Sequence, residues 1–520
     1  MGLSSPTSTS NISAPVACLN CRDKHLRCDG NQTGCARCIE LNLFCHFVPS
    51  RRGRKTRAVP YPLPVLNDLP GSLDESASQE CHFVPSVGPT VAVEETTSSA
   101  RIGSATGSNQ YLRLYYRHFH LAHPFLLPRD AFMQSSPPDH LLRAVELVSW
   151  HYLQAAGVAN GPVVEQASGL QTTIKGADSS LEKVQACLLL TFILHANGRP
   201  LEAKDCTALA VHCSLELGLH RPDFAEVLDM LNPLQAESAR RTWWELFTLD
   251  TLLAAVQVHG ALQFTLETPA VPLPCDDEEY NQGRAQVGTT LQELAHRALL
   301  HENSYHSASA SRVEAASILR QCLLASSQDN SQEHIDVLDT VIVGWFHRLE
   351  GNQHPLLHYS GEVDELAFQA RMIMHCAFLY LHFPQSYLLA FLPTSSAIFC
   401  ARPPNFACPS SFPQVHTAKV LQAANGLSKL AAVSPSTISH SPFFACALVM
   451  SSSIQLAILA IEPESASSTW HYLSLNMGVL KSMASTWPIA AVSTERIRSI
   501  AREVSSALAA GAAWPGQEVV

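Results

Sequence analysis

Charge is scarce in this chain of 520 residues: Asp, Glu, Lys and Arg make up 15%, against about 25% in typical soluble domains. Apolar residues make up 46%, enough for a large buried core, and uniform disorder is excluded. At roughly 100–200 residues per domain the length allows about three units. The start, Met1–Pro15, is rich in Ser and Thr and lacks an apolar stretch, so no secretory signal is expected. A disulfide framework is then not expected for the 16 cysteines. There is no GxSxG and no GxxxxGK followed by Ser or Thr, so neither a hydrolase elbow nor a phosphate-cradling loop is supported, and no enzyme is expected. One uncharged run, Phe443–Ile461, has spanning length, but Cys446, Ser451, Ser452, Ser453 and Gln455 lower its hydropathy. It reads as a helix buried in a large α-domain.

The charge that is present is unevenly placed. Between Cys18 and Arg57 stand nine Lys or Arg and three acids, a net +6, so the chain's total of −11 leaves −17 on the remainder. A basic head on an acidic body is the asymmetry of a chain that meets a polyanion at one end. From Thr56 to Ser108, 23 of 53 residues are Gly, Pro, Ser or Thr, and between Ala58 and Ala100 there is no Lys or Arg but six acids. That composition cannot bury a core and reads as a flexible linker. It carries no sustained a/d heptads, so no coiled-coil dimerisation element is expected there. The hexapeptide CHFVPS occurs at Cys45–Ser50 and again at Cys81–Ser86, through a local duplication or an error in the predicted gene. No CxxC precedes the second copy, so Cys81 is not expected to bind metal.

From Tyr111 onward Leu- and Ala-rich apolar runs recur, among them Val184–Leu194, Thr242–Val258, Leu366–Leu381 and Phe443–Ile461. Most exceed strand length, Pro and Gly fall between them, and period-2 alternation is scarce. The fold class is mostly α. The expected organisation is a disordered start over 1–16, a small cysteine-rich domain over 17–47, a basic arm and disordered linker over 48–108, and a large all-α domain over 109–520.

Six of the cysteines fall in one segment, spaced Cys18-x2-Cys21-x6-Cys28-x6-Cys35-x2-Cys38-x6-Cys45, a C-x2-C-x6-C unit used twice. Three sulfurs per half cannot complete a tetrahedral four-thiolate site. Two zinc ions need eight ligand positions, and six thiolates supply eight if two of them bridge. The count itself points to a binuclear cluster. Six thiolates and two zincs leave −2, so the surrounding +6 keeps the head at about +4.

This pattern, with basic residues after the second cysteine, resembles the fungal Zn2Cys6 binuclear-cluster transcription factors. Tyr115–Pro128, Val184–Arg221 and Arg240–Asp250 (RRTWWELFTLD) are similar to that family's middle homology region, and Val363–Tyr387 and His416–Ala445 to its later helices. The resemblance implies two Zn2+ as cofactors, with Cys18 and Cys35 bridging and Cys21, Cys28, Cys38 and Cys45 as terminal ligands. It implies a helix in the DNA major groove that reads a CGG-type triplet through Lys24 and His25. Lys24 suits the guanine O6 and N7 acceptors. His25 stands where Lys or Arg is usual, Asp23 where a basic residue is frequent, and Thr33 where the family often has proline. Arg22 and Arg27 are the expected phosphate contacts. Arg51, Arg52, Arg54 and Lys55, in the run RRGRKTR, read as an arm along the DNA, a nuclear localisation signal, or both.

Within the large domain, His118, His120 and His123 form an HxHxxH set that matches no zincin motif and reads as packing. Trp243 and Trp244 read as the anchor of a core helix, and Asp276–Glu279 as an exposed acidic loop. The expected function is a nuclear, zinc-dependent, sequence-specific transcription factor acting on double-stranded DNA, with a second copy or a coregulator as protein partner and no membrane. The resemblance implies an activator, set beside secondary-metabolite genes as many members are. The alternative, motivated by Asp23, His25 and Thr33, is a zinc-binding or redox-responsive regulatory interaction protein that has lost base readout.

Overall fold

In the computed structural model the chain divides into two compact units, Met1–Thr97 and Ser98–Val520. The structure describes residues 27–29, 36 and 37 of the first. Of the second it describes residues 105–155, 157, 162–224, 232–257, 261–264, 270–299, 307–325, 332–350, 355–358, 360–388, 412–433, 436–461 and 466–509. The expected disordered start, nearly all of the expected linker and both CHFVPS copies lie outside these residues. Among the described residues every regular element is helical, apart from one isolated antiparallel bridge between Leu357 and Val363.

The first helix, α1 (Ala105–Leu114), starts inside the stretch expected as linker and runs on through a π-turn, Tyr115–Phe119, and a last turn, His120–Ala122. After it come α2 (Arg129–Gln134), α3 (Asp139–Ala155), α4 (Val163–Lys175), α5 (Leu181–Ala196) and α6 (Pro200–Leu217). Then follow α7 (Pro233–Val256), α8 (Asp277–Asn281), α9 (Leu291–Leu299), α10 (Ala308–Ala325), α11 (Gln332–Glu350) and α12 (Glu365–His382). The last four are α13 (Pro413–Ala431), α14 (Phe443–Ile461), α15 (Ala466–Met483) and α16 (Pro488–Ala509).

Local chemistry sets the ends of these helices. The Ser180 hydroxyl accepts the Lys183 N–H at 3.1 Å to start α5, and Pro200 occupies the first turn of α6, where no N–H is needed. Gly218 ends α6 at φ +78°, in the left-handed region, with the Leu219 N–H on the Ser214 carbonyl at 3.0 Å. At the start of α7 the Asn232 side chain accepts the N–H groups of Leu234 and Gln235, ahead of Pro233.

Beside a small separate cluster of Ala308, Leu366 and Ala367, one large apolar core runs through the described part of the helical unit. Its centre is α5, whose Val184–Ala196 stretch is buried all round and packs on α3, α4, α6, α7 and α16. Helices α10 and α12 pack closely on each other, and α7 and α11 lie against α10. Helix α14 is enclosed by α12, α13, α15 and α16. Its serines are satisfied inside the protein: Ser452 and Ser453 donate to carbonyls one turn back, and Ser451 donates to the Ala424 carbonyl of α13 at 2.9 Å. Among the described residues no helix is long and apolar enough to cross a membrane.

Two substitutions separate core packing from capping. Leu190→Ala, at a fully buried site of α5, should cost about 2–5 kcal/mol. Gly218→Ala should cost only about 1 kcal/mol, through the left-handed backbone. Urea unfolding followed by circular dichroism checks the ranking.

Candidate functional site

The cysteine segment enters the described structure at two points. Arg27 and Asp29 are exposed, Cys28 is half-buried, and Ala36 and Arg37 are helical and exposed. The Asp29 carboxylate accepts the Ala36 N–H at 3.0 Å. Asp29 follows Cys28 and Ala36 follows Cys35, so this bond joins the backbone neighbours of two cysteines from different halves of the repeat. That closure, with six soft thiol donors in one short segment, fits a zinc centre. Arg27 and Arg37 present their guanidinium groups to solvent, as phosphate contact requires. The other expected ligands, Cys18, Cys21, Cys35, Cys38 and Cys45, lie outside the described residues, as do Arg22, Lys24, His25, Arg51, Arg52, Arg54 and Lys55.

The helical unit holds a second concentration of chemistry, an ionic network on α7. The Glu245 carboxylate receives Arg312 at 2.6 and 2.9 Å and His123 Nδ1 at 2.8 Å. Burial alone would raise its pKa, but the Arg312 guanidinium and His123 outweigh burial and hold it down to about 2. A carboxylate only accepts, so Nδ1 of His123 carries the proton. Burial lowers the His123 pKa despite Glu245, and the ring is neutral at physiological pH. Arg312 Nε donates to Gln369 at 2.9 Å, and Gln369 donates to the Ala122 carbonyl at 2.7 Å.

One and two turns away on α7, Glu237 receives Arg240 Nε at 2.9 Å, Arg241 Nε at 2.8 Å and the Cys275 N–H at 2.9 Å. Arg241 also reaches Asp277 at 2.6 Å and lies over the Tyr280 ring, 4.1 Å from its centroid. The network holds its members in place and offers no reactive group. The Cys275 thiol is pushed up to about 12 by burial and Glu237.

The histidines of the HxHxxH set go to three different surroundings. His118 stacks on Tyr152, His120 is buried beside Tyr115 and Tyr116 with its pKa pushed down to about 3 by burial, and His123 binds Glu245. Among the described residues no group of three or more His, Cys, Asp and Glu could hold a metal ion. Trp243 is fully buried against Phe264, and Trp244 donates to the Pro272 carbonyl at 2.8 Å, so both anchor α7 in the core. The acidic stretch expected as an exposed loop is instead the start of α8. Asp276 caps the helix by accepting the N–H groups of Glu278 and Glu279, and Asp277 is drawn in by buried Arg241 and by Ser309 at 2.7 Å. No pattern in the sequence marks the roles of Glu245, Arg312 and Gln369. Glu237, Arg241 and Glu245 do fall on one face of α7 at helical spacing, and Glu237 meets Arg240 and Arg241 within the helix, but their partners outside α7 are 34 to 122 residues away.

Residues 16–55 match the fungal Zn(2)-Cys(6) binuclear cluster domain, and residues 112–349 the fungal specific transcription factor domain. The chain is 27% identical to the C6 finger domain transcription factor iacK of Pestalotiopsis fici, over 95% of this chain and 81% of that protein. It is 34% identical to the transcription factor rglT of Emericella nidulans over 128 residues, covering 21% of this chain and 30% of that one. No solved structure matches the chain.

Removing one partner of the Glu245 cluster strands a buried charge. Arg312→Met should destabilise the helical unit by about 3–5 kcal/mol, and the double variant with Glu245→Gln should recover part of that. The depressed Glu245 pKa adds stability that is whole above the ordinary value of 4.5 and is lost as pH falls toward about 2. Stability measured between pH 5 and 2.5 should therefore fall less steeply in Glu245→Gln than in the wild type.

Proposed function

From the two domain matches together we infer that the chain belongs to the fungal Zn2Cys6 binuclear-cluster transcription factors, sequence-specific DNA-binding regulators whose cluster domain binds two zinc ions. On that premise we propose that it recognises CGG-like triplets in the nucleus as an activator, and that a secondary-metabolite gene cluster is its target. The observation that carries this reading is the spacing of the six cysteines inside the matched segment 16–55.

In this reading Cys18, Cys21, Cys28, Cys35, Cys38 and Cys45 would hold the two zinc ions, with Cys18 and Cys35 as the shared ligands and the other four as terminal ones. The zinc supplies folding free energy to a segment too small to bury an apolar core. The protein's own residues do the recognition. Lys24 donates to guanine O6 and N7, and His25 adds one neutral donor or acceptor where a second cation would bring charge. Arg22 and Arg27 hold phosphates and so set register without reading sequence. The exposure of Arg27 supports its part in this. The basic run from Arg51 to Lys55 extends the electrostatic contact along the backbone, and each phosphate it neutralises steepens the salt dependence. The acidic remainder of the chain adds nothing to the affinity for a polyanion, so binding rests on the head. The helical unit serves regulation and protein contacts, with a second copy or a coregulator as partner.

Selection from random duplex DNA by the zinc-loaded chain tests the reading, with Cys28→Ala as control. Enrichment of CGG-like triplets by the wild type alone is the expected result. Zinc binding with no enriched sequence would favour the alternative, a zinc-dependent interaction protein without base readout, for which the acidic Asp23 and neutral His25 speak. Metal removal gives a second test. A chelator should release two zinc ions per chain and abolish DNA binding while leaving the helical circular dichroism signal nearly intact, because the core of the helical unit contains no metal ligand set among the described residues.

A further inference from the structure

Helices α3 and α4 enclose an open cleft of about 650 Å³ on the helical unit, within the size range of small-molecule sites. Its α3 wall is a single helical stripe at spacings of four, three and four: Asp139, Arg143, Glu146 and Trp150. Asp139 and Arg143 are exposed one turn apart on the same face, yet neither makes an ion pair or a side-chain hydrogen bond among the described residues. The α4 wall is uncharged and small, formed by Gln166, Gly169 and Thr173. A Cβ on Gly169 would meet nothing within 4 Å, so a groove lies open above it. The floor is apolar: Leu147 and Leu170 are buried, and half-buried Trp150 is stacked on Tyr111 with ring planes 10° apart. His140, also at the rim, has its pKa lowered by burial and adds no charge at neutral pH.

An unpaired cation and an unpaired anion one turn apart, above an apolar floor, are complementary to a molecule with the same two charges on an apolar body. We propose that this cleft binds a zwitterion of the amino-acid type with a large apolar side chain. Its carboxylate pairs with Arg143, its ammonium group with Asp139, and its side chain lies over Gly169 against Trp150, Leu147 and Leu170. A mono-anion would meet the excess of acids along α3, and a mono-cation would leave the Arg143 guanidinium unanswered. The charge pair thus selects the zwitterion over either half. This inference rests on the cleft alone and is independent of the triplet reading.

Titration calorimetry of the full zinc-loaded chain tests it with 3-(2-naphthyl)-L-alanine. The controls are 2-(2-naphthyl)ethylamine, which lacks the carboxylate, and 3-(2-naphthyl)propanoate, which lacks the ammonium group. The expected result is saturable one-to-one binding of the amino acid, with each control about tenfold weaker, the loss of one charge-assisted hydrogen bond. Gly169→Leu should fill the groove and weaken binding at least about tenfold, while removing a helix-interior glycine keeps α4 intact. Arg143→Gln, a surface change, should abolish the preference for the amino acid over the amine, and it serves if Gly169→Leu fails to fold. Absence of saturable heat, equal binding of all three compounds, or undiminished selectivity in Arg143→Gln would overturn the proposal.

Discussion

Three carboxylates are buried on α7: Asp250 is paired with Arg320 at 3.0 Å, and the other two, Glu237 and Glu245, set the terms on which the helical unit can close. Neither can be left unpaired in a core from which water is excluded, because a lone buried charge costs several kcal/mol. Glu237 is answered within α7 by Arg240 and Arg241 and by the Cys275 backbone. Glu245 depends on Arg312, 67 residues away, and on His123, 122 residues away. Apolar packing drives the collapse but is indifferent to direction. The ionic network is directional: the turn at His123, the start of α8, and helices α10 and α12 must each arrive in one register before both carboxylates are satisfied. In a chain with so little charge, spending it inside trades surface solvation for a defined arrangement of helices.

That arrangement explains which parts of the molecule were legible in the sequence. Continuous apolar runs such as Val184–Leu194 and Phe443–Ile461 marked buried helices, because a helix buried on all sides needs no polar face. The serines of α14 also told against a membrane span, and their partners are inside the protein: the Ala424 carbonyl, turns of α14 itself, and Asn476. The pair Trp243 and Trp244 announced an anchored helix. The acidic run Asp276–Glu279 misled, because its role is set by Arg241, whose burial no local pattern reveals. The network and the cleft between α3 and α4 were illegible for the same reason. Each is made by residues from separate helices, and spacing within one helix says nothing about what stands opposite.

The metal-binding head was legible for the opposite reason. Its chemistry is local, and six cysteines at a regular spacing state the ligand count before any fold is known. The cluster domain binds two zinc ions, whereas the helical unit rests on apolar burial and holds no metal ligand set among its described residues. The scattered cysteines support this separation. Burial raises the thiol pKa values of Cys275, Cys322 and Cys376, which leaves them protonated at neutral pH and poor competitors for zinc.

Burial acts on the histidines in the other direction and gives the helical unit its response to acid. The pKa values of His118, His120, His123, His140, His151, His195, His220, His375, His382 and His416 all lie below the usual 6.5, with burial the largest cause in each. These rings stay neutral through the physiological range, so the body's excess of acids is not offset by protonation there. At neutral pH the acids of the helical unit therefore keep its charge negative. Below pH 6.5 the unfolded chain takes up protons that the folded rings refuse, and stability falls. Below about 4.5 the Glu245 cluster adds a loss of the same sign. Neutral histidines and a deeply ionised carboxylate thus work together: both place the stable, charge-segregated state of the protein at neutral pH.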